Sequence, residues 1–319
     1  MKITALVMTY NHEQFISQAL DSALCQEATS GYEILISEDC SSDRTQEIVL
    51  KYAAMYPDRI RLLLSECNLH SNEVVARGIR AARGAYIALL DGDDYWTSPH
   101  KLQRQADFLD HHSECAVCFH NAEVLDERAH GSSRRWTPAG QKEISTIEDI
   151  WQGNFIATSA TMFRKGLIGD IPDWYISLFP ITDWPLHILN AEHGKIGFID
   201  EVMSVYRYHP GGLYSQLSEA RKLEATSQFY KLMNANLGYR YNRLVKSARA
   251  RYFFDWAQEY MKRGDYHLAW SCLLQCLAAG SIGGNIRVGA ILKLALRMCV
   301  PDVVLRPVQI GRSFLSGQR

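Results

Sequence analysis

Three carboxylates lie within four residues in the segment Asp91-Gly92-Asp93-Asp94, directly after the apolar run 86–90. Carboxylates this close repel one another unless a cation or a hydrogen-bond donor compensates their charge. Mg²⁺ and Mn²⁺ bind carboxylate oxygens, and one or two carboxylates commonly share the cation with the phosphates of a substrate. The segment therefore predicts a site for a metal ion and a diphosphate. An acidic turn, favoured by the Asp-Gly pair, is the structural alternative.

Apolar runs alternate with helical patterns around this segment. The predicted strands are residues 3–8, 32–37, 60–64 and 86–90, and the predicted helices are 13–26, 45–56 and 73–83. This alternation predicts an α/β domain with a mostly parallel sheet, in which ligands bind at the carboxyl ends of the strands. Polar residues follow three of the predicted strands: Thr9-Tyr10-Asn11, Glu38-Asp39 and the acidic segment.

Taken together, these segments resemble glycosyltransferase family 2, a large inverting group with the GT-A fold. The resemblance lies in residues 8–11, 38–45 and 84–99, which match in order, spacing and strand placement. It implies a Rossmann-like domain that binds a nucleotide-diphospho-sugar. The chain departs from the family at Cys40, where glycine is common, and at Ala76-Arg77, where an Arg-Asn pair is frequent.

The resemblance implies roles for individual residues. Asp39 would accept a hydrogen bond from the donor's base, and Asp91, Asp93 and Asp94 would hold ribose and metal. A carboxylate can only accept hydrogen bonds, which suits the imide N–H of a uracil-type base, although guanine offers a similar donor. A UDP-sugar is therefore the favoured donor. The predicted nucleotide-binding set is Thr9, Tyr10, Asn11, Glu38, Asp39, Arg80 and Asp91.

Arg80 enters this set because it could supply a charge to the donor. The alternative for Arg77, Arg80 and Arg83 is a solvated basic face of the helix.

The acceptor side is expected after residue 115. Residues 116–122 and 156–164 are predicted strands, and the polar stretch 126–142 is predicted to be a loop or lid. Asp183 begins a predicted helix that runs to about residue 193 and resembles the family's catalytic base. Its alternative role is a helix N-cap, since Pro185 suits the first turn.

Residues 205–212 resemble the family's closing loop. There His209 would approach the diphosphate or the metal, so the predicted metal ligands are Asp93, Asp94 and His209, with Mg²⁺ or Mn²⁺ as cofactor. An ordinary surface histidine is the alternative.

Composition predicts a globular chain whose two parts differ in charge. The net charge of the 319 residues is −1, which gives no signal for nucleic-acid binding. Residues 1–212 carry 18 basic and 29 acidic side chains, whereas residues 213–319 carry 16 and 6. We expect a GT-A domain over 1–212, with a donor half (1–115) and an acceptor half (116–212), and a helical C-terminal region over 213–319.

The C-terminal region has helical spacing over 217–237, 244–262, 266–279 and 286–298. The last of these places Arg287, Lys293 and Arg297 on one face, as in a helix that lies on an anionic membrane surface. A helix that packs on protein, with its basic side chains solvated, is the alternative.

No segment is long and apolar enough to span a membrane, and no secretory signal is expected. The eight cysteines are then expected to be reduced thiols, and Cys115-x-x-Cys118 to be structural. The predicted location is the cytoplasm, with peripheral attachment at the inner face of the cell membrane.

The sequence thus predicts a metal-dependent inverting glycosyltransferase that moves a sugar to a hydroxyl of a glycan or lipid-linked acceptor in cell-surface polysaccharide synthesis. Two alternatives stay open: a sugar nucleotidyltransferase, and a non-catalytic protein that binds nucleotide sugars or acts as a scaffold.

Overall fold

The computed structural model describes residues 1–127, 133–280 and 286–299. The chain forms two compact units, Met1–Val245 and Lys246–Arg319.

The first unit is built on one mixed sheet, which has ten strands within the described residues. The strands are Ile3–Thr9 (β1), Tyr32–Glu38 (β2), Ile60–Leu64 (β3), Tyr86–Asp91 (β4), Tyr95–Trp96 (β5), Cys115–Asp126 (β6), Ser133–Arg135 (β7), Ile144–Ser145 (β8), Thr161–Arg164 (β9) and Lys195–Tyr208 (β10). The main order is β3-β2-β1-β4-β9-β6-β10-β5, with β7 beside β6 and β8 beside β10.

The block β3-β2-β1-β4 is entirely parallel, as the sequence predicted. β9 runs antiparallel between β4 and β6 and links this block to the parallel pair β6–β10. All seven residues of β1 are buried, because helices cover both faces of a parallel sheet and its strands must be apolar throughout. The carboxyl ends of β1, β2 and β4 therefore lie side by side at one edge.

Five helices of the first unit were predicted and agree with the prediction to within a few residues, whereas the helices at 101–111, 147–152 and 173–176 were not predicted. They are Ile16–Leu24 (α1), Thr45–Met55 (α2), Glu73–Ala81 (α3), Lys101–His111 (α4), Ile147–Gln152 (α5), Asp173–Ile176 (α6), Asp183–Ala191 (α7) and Glu219–Asn236 (α8).

Three segments differ from the sequence expectations. The polar stretch 126–142 contains β7, which pairs with β6. Residues 158–160 form a 3₁₀ turn before β9, so the predicted strand 156–164 is shorter. Residues 205–208, expected in a closing loop, are the end of β10, because Val205 to Tyr208 continue the ladder with β6.

Helix α8 belongs to the first unit, although the sequence interpretation placed it in the C-terminal region that starts at residue 213. Its Phe229 and Tyr230 are fully buried. The ring of Phe229 lies 4.5 Å from Trp184 of α7, and the ring of Tyr230 lies 6.3 Å from Trp151 of α5. This aromatic cluster joins α8 to the helices of the acceptor half.

The C-terminal helices are Asn242–Arg263 (α9), Tyr266–Ala278 (α10) and Val288–Cys299 (α11). Cys272 and Cys276 of α10 are buried. α11 begins at Val288, one residue after Arg287. Neither unit contains, among its described residues, a helix that is long and apolar enough to cross a membrane.

Candidate functional site

The predicted site residues at the ends of β1, β2 and β4 meet at one edge of the sheet. The backbone N–H of Asp39 donates to the carbonyl of Thr9 at 3.0 Å, and that of Gly92 donates to the carbonyl of Met8 at 2.8 Å. A Cβ on Gly92 would lie 2.6 Å from Oγ1 of Thr9 and 2.7 Å from Nδ1 of His12. Glycine is therefore required here so that the acidic segment can approach the loop after β1.

The loop after β2 is held by hydrogen bonds to two of the predicted nucleotide-binding residues. Glu38 is fully buried and accepts hydrogen bonds from the backbone N–H groups of Cys40 (3.1 Å) and Ser41 (2.7 Å). Asn11 accepts one from the N–H of Ser42 at 2.8 Å. The structure thus places Glu38 behind the loop, where it shapes the backbone, while Tyr10 is 38% exposed.

Cys40 has a φ of +57°, the left-handed conformation that glycine adopts without steric cost. This explains why the family commonly has glycine there, and it means that this chain forms the same turn with a strained residue.

Asp39 lies at the inner end of the same loop. Its Oδ1 accepts hydrogen bonds from Oγ of Ser65 at 2.9 Å and from the N–H of Leu69 at 3.1 Å. Arg77 of α3 lies beneath it and donates to Oγ of Ser37 (2.9 Å) and to the carbonyl of Glu38 (2.8 Å). The negative charges of Asp39 and Glu38 act on this guanidinium.

The alternative of a solvated basic face is therefore wrong for Arg77, which supports the loop from below. Arg80, the predicted donor contact, instead reaches back along α3 to Glu73, with 2.6 Å between Nη1 and Oε1. Its charge is already paired.

The three carboxylates of the acidic segment have different surroundings. Asp93 is flanked by two imidazoles: its Oδ2 lies 3.1 Å from Nε2 of His209 and 3.6 Å from Nε2 of His12. Burial alone would raise the pKa of Asp93, but His12 and His209 outweigh it and hold this pKa below its usual range. Asp93 and His209 are thus brought together as predicted, and His12 joins them.

Asp94 is fully buried and points toward β10. Its Oδ1 accepts a hydrogen bond of 2.9 Å from the backbone N–H of Arg207, and within the described part of the chain its Oδ2 has no hydrogen-bond partner. Burial, then Asp93 and Asp91, raise the pKa of Asp94 well above its usual range. This side chain joins the acidic segment to β10.

Arg207 closes the same region from the other side. Its guanidinium donates to the carbonyl of Asp93 at 2.6 Å and to the side chain of Gln18, and it stacks 4.7 Å above the ring of Tyr95. A planar guanidinium with several directed donors suits this position. Arg207 therefore fixes the backbone on which Asp93 stands.

The side chains around Asp93 supply only some of the ligands that a divalent cation needs. Within the described residues, no group of three or more His, Cys, Asp and Glu side chains could hold a metal ion alone. Asp93 with His209 supplies one oxygen and one nitrogen ligand, so further ligands would have to come from substrate phosphates and water, as in many Mg²⁺ and Mn²⁺ sites. Asp94 does not fit as a ligand, because its carboxylate is enclosed by protein.

Asp183 is the first residue of α7. Its Oδ2 accepts a hydrogen bond of 2.9 Å from Nδ2 of Asn154, and its Oδ1 accepts one of 2.7 Å from the N–H of Trp184. The first turn of a helix also favours a carboxylate through its dipole. Burial, followed by the charges of Asp93 and Asp183, raises the pKa of Asp91, so Asp91 and Asp183 interact electrostatically.

The N-cap alternative for Asp183 is partly realised. Thr182 holds the N-cap position, and Asp183 is the first helical residue. Its interaction with the neighbouring N–H is compatible with a role in chemistry.

Sequence reasoning missed His12 and Asn154 as members of this site. His12 follows Thr9-Tyr10-Asn11 in the loop after β1, and this position was its only signal. Asn154 gave none, because its role depends on the packing of α5 near α7.

Known proteins resemble this chain in sequence. An uncharacterized protein of Mycobacterium tuberculosis is 36% identical over 221 residues, which are 69% of this chain and 62% of that protein. The chain thus matches less than two thirds of this relative's length. The putative teichuronic acid biosynthesis glycosyltransferase TuaG of Bacillus subtilis is 34% identical over 175 residues, which are 53% of this chain and 64% of TuaG.

Two solved structures share the fold. Staphylococcus aureus TarS 1–349 in complex with UDP-GlcNAc has a TM-score of 0.56 and 18% identity, covering 91% of this chain and 95% of that one. The mannosyltransferase PcManGT of Pyrobaculum calidifontis, in complex with GDP-Man and Mn²⁺, has a TM-score of 0.56 and 16% identity, covering 92% and 79%. At these identities the likeness establishes a GT-A fold and nothing more.

The family is established by sequence. Residues 4–171 match the profile described as glycosyl transferase family 2, and this stretch contains the loops after β1, β2 and β4 as well as Asn154. Because the match covers more than half of the chain, this protein belongs to glycosyltransferase family 2.

Proposed function

We propose that this protein is a metal-dependent inverting glycosyltransferase that uses a nucleotide-diphospho-sugar, with a UDP-sugar favoured. The proposal is supported by the family match and by the carboxylate of Asp183, which Asn154 holds at 2.9 Å and whose charge acts on Asp91. In the proposed arrangement Asp183 serves the acceptor hydroxyl, and Asp93 serves the leaving diphosphate. An inverting transfer needs a base on one side of the sugar and charge compensation on the other.

The residues of this chain have separate tasks in that reaction. Asp183 takes the proton from the acceptor hydroxyl as this oxygen attacks the anomeric carbon. Asn154 orients the carboxylate of Asp183, and Arg207 fixes the backbone at Asp93. A divalent cation bound by Asp93, His209 and the donor's phosphate oxygens would neutralise charge on the leaving nucleoside diphosphate.

Several observations bear on the donor and the metal. The imidazole of His209 favours Mn²⁺ over Mg²⁺, because Mg²⁺ prefers oxygen ligands in near-ideal octahedral geometry. The UDP-GlcNAc and Mn²⁺ complexes of the two structural neighbours are consistent with this choice. Thr9, Tyr10, Asn11 and Asp39 would enclose the base and ribose, and Asp91 would hold the ribose.

The proposed acceptor is a glycan or a lipid-linked sugar in cell-surface polysaccharide synthesis. The name of TuaG, with which 53% of this chain aligns, supports this assignment. A sugar nucleotidyltransferase would need a glycine-rich phosphate loop with basic residues after β1, where this chain has Asn11-His12-Glu13.

The test of the proposed reaction is the variant Asp183→Asn. Asparagine keeps the size of the side chain and the acceptor oxygen for Asn154, but it cannot take a proton. General-base catalysis is worth about 10²–10⁴ in rate, so kcat of sugar transfer should fall by about 100-fold or more while donor affinity is unchanged.

Donor affinity and turnover would be measured over a panel of UDP- and GDP-sugars with Mn²⁺. Asn154→Ala provides a comparison, since it loosens the base without removing it and should lower kcat less. Near-normal turnover by Asp183→Asn would refute the base assignment. Binding of nucleotide sugars with no transfer by the intact chain would instead favour the non-catalytic alternative.

We also propose that the enzyme works in the cytoplasm at the inner face of the cell membrane, attached through α11. Ile291, Leu294 and Met298 are the buried face of this helix. Val288, Leu292 and Leu296 are 55%, 58% and 65% exposed and lie four residues apart along another face. Lys293 and Arg297 are exposed as well. An exposed apolar stripe beside basic residues suits an anionic lipid surface.

Co-sedimentation with vesicles tests this attachment in the full chain. Leu292→Gln with Leu296→Gln should weaken binding to phosphatidylserine-containing vesicles at any salt concentration. Lys293→Gln with Arg297→Gln should remove about 2 kcal/mol of attraction, mainly at low salt. Leu50→Gln, at a leucine of α2 that is 45% exposed, is the control. Equal and negligible sedimentation of the unchanged chain with anionic and neutral vesicles would refute the attachment.

A further inference from the structure

Two aromatic side chains lie beside the carboxylates without a part in the reaction described above. They are Trp136, which follows β7, and Tyr206 of β10. Their ring centroids are 5.0 Å apart and their planes are inclined by 60°. Both side chains are half-buried, so the pair presents aromatic surface outward while it is anchored in the protein.

Trp136 is fixed on the side of Asp183. Its backbone N–H donates to the carbonyl of Ala122 at 2.8 Å, and its side chain packs on three small buried residues, Ala122, Ala157 and Ala160. The next residue, Thr137, donates to the carbonyl of Phe155 at 3.5 Å. Phe155 is adjacent to Asn154, which holds Asp183. The indole is thus tied to the segment that positions the proposed base.

Tyr206 is fixed on the side of the acidic segment. It precedes Arg207 in β10, and neighbouring residues of a strand point to opposite faces of the sheet. Arg207 points toward Gln18 and Tyr95, so Tyr206 points to the other face. Burial, followed by the charges of all four carboxylates, raises the pKa of Tyr206. Tyr206 is therefore near enough to the four carboxylates to interact with them electrostatically.

The pair is far in the sheet order from the proposed base-binding end. Asp39 follows β2, whereas Trp136 and Tyr206 adjoin β6 and β10, on the other side of β4. A nucleotide base at Asp39 therefore leaves the aromatic pair free for another part of the substrates.

We propose that Trp136 and Tyr206 form a platform on which a pyranose ring of the acceptor stacks, with a hydroxyl of that ring directed at Asp183. The faces of a pyranose carry C–H groups that pack on the negative face of an aromatic ring, and the phenol of Tyr206 can exchange a hydrogen bond with a sugar hydroxyl. The alanines beneath Trp136 keep the indole flat against the protein. This inference rests on the proposed function, since it assigns the acceptor side of that site.

The test is direct binding of simple glycosides to the full chain, measured by saturation-transfer NMR in the presence of UDP and Mn²⁺. The probes are the methyl α- and β-pyranosides of glucose, galactose and mannose. Trp136→Leu keeps an apolar side chain on the alanines but removes the aromatic face, and Trp136→Phe keeps an aromatic face. Trp256→Leu, at a half-buried tryptophan of α9, is the matched control.

We expect at least one glycoside to bind to the unchanged chain. Trp136→Leu should weaken that binding about two- to tenfold, the range of an aromatic contact. Trp136→Phe and Tyr206→Phe should weaken it less, and Trp256→Leu should not change it. UDP affinity should be the same in all variants. No saturation transfer to any glycoside, or equal transfer with Trp136→Leu, would overturn the platform.

Failure of the proposed function has a different signature. The unchanged chain would then neither bind nor turn over nucleotide sugars, whether or not it binds the glycosides.

Discussion

Asp93 and Asp94 are neighbours in sequence, yet the structure predicts opposite results for their substitution. Asp93 is 15% exposed and lies 3.1 Å from His209, whereas Asp94 is fully buried and accepts a hydrogen bond from the backbone of Arg207. Asp93→Asn should abolish the increase in UDP affinity that Mn²⁺ produces, with little effect on the free energy of unfolding. Asp94→Asn should retain that increase, because its amide oxygen can still accept from Arg207.

Asp94→Ala shows the size of the structural effect. Removing the carboxylate leaves the N–H of Arg207 buried without an acceptor, which costs about 1–3 kcal/mol of unfolding free energy. The strand that carries His209 would also lose its link to the acidic segment, so some metal-dependent affinity should be lost together with stability. Compared with Asp94→Ala, the variant Asp94→Asn should retain most of the unfolding free energy and most of the metal-dependent UDP affinity.

The measurements are urea unfolding followed by circular dichroism, and isothermal titration of UDP with and without Mn²⁺. Loss of the Mn²⁺ increment in Asp94→Asn, with full retention in Asp93→Asn, would refute the separation of a ligand from a structural carboxylate. Equal loss in both would mean that the two carboxylates act on the cation together.

Two further predictions concern buried polar side chains. Asp39→Ala should weaken UDP binding without metal by about 1–3 kcal/mol, because one charge-assisted hydrogen bond to the base is lost. Titration of UDP in EDTA checks this, and an effect confined to Mn²⁺ would place Asp39 with the metal ligands. Lys101 is fully buried over the ring of Trp96, and burial lowers its pKa well below the usual range. The unfolded chain then binds more protons than the native one, so stability should rise with pH between this lowered pKa and about 10.4, by at most about 1.4 kcal/mol per pH unit. Lys101→Met should remove that rise in urea unfolding series from pH 6 to 9, and an identical pH dependence of the two proteins would contradict it.

The strands and helices of the first half follow from the sequence because their cause is local. The runs 3–8, 32–37, 60–64 and 86–90 are mostly apolar, and the intervening helices show one apolar stripe each. Parallel strands of this kind place their carboxyl ends together, so the sequence alone determined that Thr9, Asp39 and Asp91 meet at one edge. The motifs at these ends were also sufficient to indicate the family.

Other features were decided only by tertiary packing, because they depend on residues far apart in the chain. Asp93 and Asp94 are adjacent carboxylates, and the sequence does not distinguish their roles. The position of β10, more than 100 residues later, does so, because Asp94 accepts a hydrogen bond from the backbone of Arg207 and Asp93 lies beside His209. Arg77 has the spacing of a surface arginine, but α3 lies against β2, and the half-buried guanidinium donates to Ser37 and Glu38. The boundary after residue 212 was placed where the charge changes sign, whereas Phe229 and Tyr230 of α8 pack on Trp184 and Trp151. The local sequence pattern indicates which face of a helix or strand is apolar. Which other helix or strand packs on that face depends on the whole fold.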